Sequence, residues 1–208
     1  GAQYNYAFMF GKGEGVDQDF EIAAKYFKLA ADQGHLNAQY NYALTLCEDE
    51  CIVQDFELAA KYFKLAADRG HAGAQFNYAR MLYEGEDIFQ DLELGAKYLK
   101  LAADQGHVGA QYEYAIKLLE GDEIEQDILK AQEYFTMAAD QGHKGAIRKL
   151  DFNNTEHGNP IDYLFALAGQ NIKELSNIKK TLTLKTWLDR LEVSGDFDKE
   201  EGKGGQDK

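Results

Sequence analysis

Residues 1–7 read Gly-Ala-Gln-Tyr-Asn-Tyr-Ala, and this stretch returns with one change each time at 37–43, 73–79 and 109–115. A second stretch, Ala-Ala-Asp-Gln-Gly-His at residues 30–35, returns at 66–71, 102–107 and 138–143. Every offset is 36 residues, and the first two units agree at 23 of 36 positions. A period of this length is typical of helical repeat proteins, in which each unit is a single supersecondary element.

Each unit contains two helical patterns joined by a short loop. In the first unit, apolar residues at helical spacing predict a first helix with one core face, formed by Ala2, Tyr6, Ala7 and Phe10. A loop is expected to follow through Gly11, Gly13 and Gly15, because glycine adopts positive φ without steric cost. A second amphipathic pattern then runs from Ile22 to Ala31.

The ends of the second helices carry recognisable signals. An aspartate stands where an N-cap belongs in every unit, at Asp19, Asp55, Asp91 and Asp127. A glycine follows each second helix, at Gly34, Gly70, Gly106 and Gly142. These residues predict the same helix-turn-helix hairpin four times.

One hairpin of 36 residues cannot bury its own apolar face, whereas stacked hairpins can. The recurring alanines allow close backbone approach, and Tyr6 and Tyr26 with their equivalents are expected to fill the gaps between units. We therefore predict an all-α fold, a right-handed α-solenoid of four 36-residue helix-turn-helix repeats followed by C-terminal capping helices. First helices should line its concave surface.

The repeat pattern also divides the chain. The solenoid is expected over residues 1–146, with units at 1–36, 37–72, 73–108 and 109–144. A fifth unit begins at Gly145 and loses the pattern, so residues 147–159 are a loop or a frayed fifth first helix. Capping helices are expected within 147–194, with a partner-docking helix as the alternative, and a disordered tail over 195–208.

These motifs resemble a known repeat family. The residues that carry the resemblance are Ala-Gln-Tyr-x-Tyr-Ala, then Gly13-Glu14-Gly15-Val16-x-x-Asp19, then Ala-Ala-x-Tyr-Phe-x-x-Ala-Ala-Asp-Gln-Gly-His. Together they are similar to the Sel-one-like repeat of the tetratricopeptide-like superfamily, over residues 1 to about 146. The resemblance implies an adaptor or scaffold that binds other proteins. The loop departs from the family pattern, since Gly-x-Gly-Val is complete only in the first unit.

Charge narrows the classes of partner. The chain has 36 acidic and 22 basic side chains, and residues 1–144 hold 25 of the acidic and 12 of the basic ones. An acidic solenoid is a poor ligand for nucleic acid phosphates or for an anionic bilayer surface. We expect no nucleic acid partner and no membrane span. The acidic loops are either a solvated edge or a surface that steers a basic partner segment.

Chemistry-bearing residues do not converge in this pattern. His35, His71, His107 and His143 occur once per unit, too far apart to share a zinc ion, so each is expected at the turn into the next helix, packing or capping backbone amides. We expect no disulfide or metal site at Cys47 and Cys51. Ser176-x-x-Lys179 lacks the companion motifs of penicillin-recognising enzymes. We predict no catalytic residues, no cofactor and no enzymatic activity.

What remains is a surface on the first helices. Position 5 of the repeat is Asn5, Asn41, Asn77 and Glu113. An amide row along a groove can pair with the backbone of an extended peptide. Positions 8 and 9 vary on the constant scaffold and are the predicted specificity residues: Phe8, Leu44, Arg80 and Ile116, then Met9, Thr45, Met81 and Lys117.

The sequence therefore favours a non-enzymatic scaffold or adaptor that binds a peptide or protein segment, with basic character as one option, in the concave groove. It acts as a monomer or as part of a larger chain or complex. The alternatives are a regulatory arm of a larger signalling protein such as a kinase and, least favoured, a β-lactam-hydrolysing relative. Two cysteines favour a reducing, cytoplasmic compartment over a secretory one without deciding between them.

Overall fold

The computed structural model describes residues 1–47, 53–86 and 88–150, and in these ranges all regular structure is helical. The helices are α1 (Ala2–Lys12), α2 (Phe20–Asp32), α3 (Leu36–Cys47), α4 (Phe56–Ala67), α5 (Ala72–Glu84), α6 (Leu92–Asp104), α7 (Val108–Glu120), α8 (Ile128–Asp140) and α9 (Lys144–Leu150). Odd-numbered helices are the first helices of the units and even-numbered helices the second. The predicted all-α repeat fold is confirmed.

Two predicted boundaries need comment. The prediction that Gly11 belongs to the loop was wrong, because Gly11 lies inside α1, where it faces Ala23 of α2. The fifth unit does begin with a helix, α9, which supports the frayed first-helix alternative as far as Leu150. The predicted capping helices and tail extend beyond the described residues.

The second helices begin and end as their sequences predict. Each N-cap aspartate accepts a hydrogen bond from the backbone N–H three residues on; for Asp91 the donor is Leu94, at 2.9 Å. At the other end the chain turns through a left-handed glycine, such as Gly106 with φ 86°. The backbone N–H of His107 then donates to the Ala102 carbonyl, so the last helical carbonyls are satisfied. Both predictions are confirmed.

The helices stack in chain order, and each packs mainly on its neighbours in the sequence. Alanines make this approach close: those at positions 2 and 7 of the first helices in units 2 to 4 have no exposed surface. In unit 1, Ala2 and Tyr6 are exposed, because no preceding helix pair covers that side of α1 within the described residues. The predicted core face is therefore confirmed wherever a unit has a neighbour on that side.

Tyrosines of the second helices bridge successive units, as expected for the equivalents of Tyr26. The Tyr62 hydroxyl of α4 donates to the Asp32 carboxylate at the end of α2, at 2.5 Å. The same bond joins Tyr98 to Asp68, and Tyr134 to Asp104. Each carboxylate also accepts from a lysine one turn earlier; the bond from Lys64 to Asp68, with that from Tyr98, lowers the pKa of the Asp68 carboxyl.

Buried glutamines form a second bridge between units that the sequence analysis did not identify. Gln39, Gln75 and Gln111 are buried polar residues at position 3 of the first helices. The Gln75 amide donates to the Ala67 carbonyl of the preceding unit at 3.1 Å, and its oxygen accepts from Gln105 at 2.6 Å. Arg69 and Gln141 donate to the other two in the same way.

None of the helices in the described part of the chain has the length and apolar character needed to cross a bilayer.

Candidate functional site

The four repeat histidines are structural. The Nδ1 atom of His71 accepts a hydrogen bond from the Ala74 backbone N–H at 3.1 Å, at the start of α5. Its ring stacks on Tyr40 of α3, with ring centroids 4.3 Å apart. Burial lowers the pKa of His71, which favours the neutral imidazole that can accept this bond. His35, His107 and His143 repeat the arrangement, so the predicted capping and packing role is confirmed.

These repeated contacts are called the seam below. The seam consists of the histidine caps with their aromatic partners, the buried glutamines, and the tyrosine–aspartate bonds.

No group of three or more potential metal ligands occurs among the described residues. Cys51 and the Ser176–Lys179 pair lie outside the described residues, so the statements about them stay predictions.

The asparagines at position 5 are less available than the predicted amide row requires. Asn5 is exposed, whereas Asn41 and Asn77 are half-buried. The Asn41 amide donates to the Tyr4 hydroxyl of the preceding first helix, at 3.4 Å, and Asn77 hydrogen-bonds the Tyr40 hydroxyl. Each side chain therefore spends part of its hydrogen-bonding capacity on the neighbouring unit. The expectation of a fully free amide row needs this correction.

Glu113 occupies the same position in α7 but has different surroundings. The residue that corresponds to Tyr4 and Tyr40 in the preceding unit is Phe76, which has no hydroxyl. Glu113 is half-buried, and burial raises the pKa of its carboxyl, with Arg80 opposing that effect. The asparagine–tyrosine pair is thus replaced on both sides at the boundary between units 3 and 4.

Four of the twelve predicted site residues come together in one pocket. Leu44 of α3 and Asn77, Arg80 and Met81 of α5 line a cavity of about 210 Å³. Its other walls are Cys47, Phe56, Phe63, Glu84, Glu86 and Ile88. This α3–α5 pocket combines apolar walls with polar groups at the rim, a combination typical of sites that bind a side chain.

A smaller side chain opens the pocket at this boundary. In unit 1, the residue equivalent to Leu44 is Phe8, whose ring contacts Phe27 at 5.7 Å between centroids and also Tyr4 at 5.0 Å. Leucine is too short to fill the same volume. The smaller side chain of Leu44 is one of the variable residues that leave space at this boundary.

In unit 3 a different ring is present. Tyr83 stands where unit 2 has Cys47, and Gly95 in α6 stands where the other units have alanine. A Cβ atom on Gly95 would lie 3.2 Å from the Tyr83 ring, so the glycine makes room for the tyrosine. Lys117 of α7 lies over the same ring, 4.8 Å from its centroid. The two departures from the repeat compensate each other in volume.

The remaining predicted residues differ in accessibility. Thr45 is only 9% exposed, and its hydroxyl donates to the Asn41 carbonyl of its own helix at 2.8 Å. Its assignment as a specificity residue was wrong. The side chain is buried, and its hydroxyl already donates to a carbonyl of its own helix, so a ligand cannot reach it. Phe8, Met9 and Ile116 are half-buried on their first helices. Lys117 is engaged by Glu123 at 2.9 Å and Glu120 at 3.5 Å.

Comparison with known proteins identifies the repeat. The Sel1 repeat matches residues 1–35, 36–71, 72–107 and 108–143. Among curated proteins no sequence matches this chain significantly.

Solved structures agree with the sequence match. One similar structure is a protective antigen of uropathogenic Escherichia coli strains with an SLR fold, at 27% identity and TM-score 0.70, covering 81% of this chain and 37% of that one. Another is a Sel1 repeat protein from Oxalobacter formigenes, at 25% identity and TM-score 0.67, covering 82% of this chain and 72% of that one. This chain thus spans well under half of the E. coli antigen.

Sel1 repeat proteins are typically protein-interaction scaffolds and are generally non-enzymatic. Because four tandem matches cover residues 1–143 and the helices follow the same units, the chain belongs to the Sel1 repeat family.

Proposed function

We propose that this chain binds an extended segment of a partner protein along its first helices, and that the α3–α5 pocket holds an apolar side chain of that segment. The observation that carries the proposal is the position of the pocket. It lies where Leu44, Arg80 and Met81 vary between units, while the seam residues stay nearly constant. Variation on a constant scaffold is what selective recognition by a repeat protein requires.

The chemistry of the rim supports an extended ligand. Asn77 retains amide capacity beyond its bond to Tyr40 and can bond a peptide backbone. Leu44 and Met81 provide apolar contact, and methionine adapts to side chains of different shape. Affinity would come from burying one anchor side chain, and orientation from the amide.

The test is the affinity of a peptide selected on the full chain from a random dodecapeptide display library. Leu44→Phe introduces the residue that unit 1 already has at this position, so it fills the pocket with a side chain that the scaffold accepts. We expect the Kd for the selected peptide, measured by isothermal titration calorimetry, to rise about tenfold or more, the equivalent of ~1.4 kcal/mol.

The matched control is Leu65→Phe, the same change at a residue of α4 that is 49% exposed. It should leave the Kd within about twofold, since surface substitutions away from the site change little. If both variants lose affinity equally, or if Leu44→Phe loses none, the pocket is not part of the binding site. Melting temperatures of all three proteins show whether the fold is intact.

A further inference from the structure

Glu113 is the residue of the first helices whose surroundings the repeat leaves unexplained. Asn41 and Asn77 each form a hydrogen bond with a tyrosine hydroxyl of the preceding unit. Glu113 has no such partner, because the preceding unit has Phe76 at the tyrosine position. Among the described residues, its carboxylate accepts no hydrogen bond, and the two cations near it, Arg80 and Lys117, form their ion pairs with other acids. A half-buried carboxylate without a donor is unfavourable, because part of its hydration is lost without replacement.

The nearby cations are already engaged. Arg80 forms an ion pair with Glu84 at 3.0 Å, and Lys117 forms ion pairs with Glu120 and Glu123. The first-helix surface from the α3–α5 pocket to α7 thus carries two basic side chains, and five acidic ones, Glu84, Glu86, Glu113, Glu120 and Glu123. Its field favours a positively charged group. Among the described residues Glu86 and Glu113 form no ion pair, and of these two Glu86 is exposed whereas Glu113 is half-buried.

The distance between this carboxylate and the pocket follows from the stacking. Position 5 side chains lie against the preceding first helix, as the Asn41–Tyr4 bond shows, so Glu113 is one unit beyond Asn77 in the pocket wall. Packed helices are about 8–10 Å apart. An extended chain advances ~3.3 Å per residue, so about three residues span one unit.

We propose that the partner segment carries a lysine or arginine about three residues from its apolar anchor, and that this cation pairs with Glu113 while the anchor occupies the α3–α5 pocket. This inference rests on the proposed function and specifies its ligand. The occupant is one extended basic segment of another protein. The pairing supplies the donor that Glu113 lacks and matches the negative charge around it.

The experiment selects random dodecapeptides displayed on phage against the full chain, in parallel with three variants. Glu113→Gln keeps the shape of the side chain and removes its charge, Leu44→Phe fills the pocket, and Glu133→Gln is the same charge removal on an exposed site of α8. Sequencing of each pool gives the enrichment of apolar residues, of basic residues, and of pairs at every spacing.

On the wild-type chain we expect enrichment of apolar–basic pairs, with a maximum at a spacing of about three residues. The Glu113→Gln pool should keep the apolar preference and lose the basic one, and the Glu133→Gln pool should resemble wild type. For a wild-type-selected peptide, Glu113→Gln should raise the Kd about tenfold, as for loss of a charged hydrogen bond.

The two proposals fail in different ways. An apolar preference in the wild-type pool that Leu44→Phe abolishes supports the pocket as a binding site. If that pool shows no basic preference, or one that Glu113→Gln leaves intact, the inference about Glu113 is wrong while the proposed function of the pocket is retained. If Leu44→Phe selects the same peptides as wild type, the proposed function is wrong as well. Thermal unfolding of each variant excludes misfolding as the reason for a changed pool.

Discussion

The seam and the first-helix surface differ in how strictly they repeat. At the seam, the histidine cap of His71 recurs in all four units, and the bond from Gln75 to the preceding unit recurs in units 2 to 4. On the first-helix surface, position 8 of the repeat carries a different residue in each unit: phenylalanine, leucine (Leu44), arginine and isoleucine. The seam sets how one unit sits on the next, so it tolerates little change. The first-helix surface has no such constraint, so it can be adapted to a ligand.

The largest loss of stability is expected from removing a large buried side chain from the core beneath both regions. Phe135 of α8 has no exposed surface and packs on Tyr112. Phe135→Ala should lower the free energy of unfolding by about 3–5 kcal/mol, from lost burial and the cavity left behind. Urea denaturation measures it.

The control is Phe89→Ala, which removes the same side chain where it is 91% exposed. It should change the free energy of unfolding by less than about 0.5 kcal/mol. Similar losses in the two variants would mean that the core does not dominate stability.

The next effect concerns the seam glutamine. Gln75→Ala removes two hydrogen bonds, the one that the Gln75 amide donates to the Ala67 carbonyl and the one that its oxygen accepts from Gln105, while the Gly70 backbone N–H still donates to that carbonyl. The free energy of unfolding should fall by about 1–3 kcal/mol. Gln33→Ala, an exposed glutamine of unit 1, is the control and should be nearly neutral in the same urea titration. A neutral Gln75→Ala would show that the glutamine bridge contributes little to stacking.

These glutamines show what the sequence could and could not predict. Caps such as Asp91 and Gly106 were predictable, because their role depends on residues within one turn. Gln75 was not, since a polar side chain on a helix is ordinarily exposed, and its burial depends on the neighbouring unit. Its recurrence in all four units was the available signal, because exposed positions drift between repeats.

The candidate site was predictable only in part. Helical spacing placed Leu44, Asn77, Arg80 and Met81 on one side of the first helices, and they do line one pocket. Spacing could not show that Thr45 bonds its own helix, or that Gly95 makes room for Tyr83. Both depend on side-chain volume and rotamer in three dimensions, which a one-dimensional period does not contain.

A third prediction uses the histidine caps. The pKa of His71 in the folded chain lies below its ordinary value of 6.5, because burial disfavours the charged ring. The cap contributes fully above that ordinary value, and its contribution is lost as the pH falls through the lower folded pKa. The chain should therefore lose thermal stability between about pH 7.5 and pH 5.

The variant for this test is His71→Asn, because asparagine caps a helix without titrating in this range. Its melting temperature should fall less than that of wild type over the same pH interval. If the two fall equally, His71 does not contribute to the pH dependence.

The smallest stability effect is expected from the asparagines. Their bonds to Tyr4 and Tyr40 are only partly buried, and the Asn41 bond is long at 3.4 Å. The combined substitution Asn41→Ala and Asn77→Ala should lower the free energy of unfolding by about 1 kcal/mol or less. It should also weaken binding of the selected peptide. A large loss of helicity, seen by circular dichroism, would assign these residues to the seam.

The most direct test is an amide chemical-shift map of the full chain, titrated with the library-selected dodecapeptide. The account predicts that the largest perturbations fall on first helices, centred on Leu44, Asn77 and Glu113, with small changes on second helices near Leu65 and Met137. Perturbations centred on the second helices would contradict it, because binding would then use the surface opposite to the one proposed.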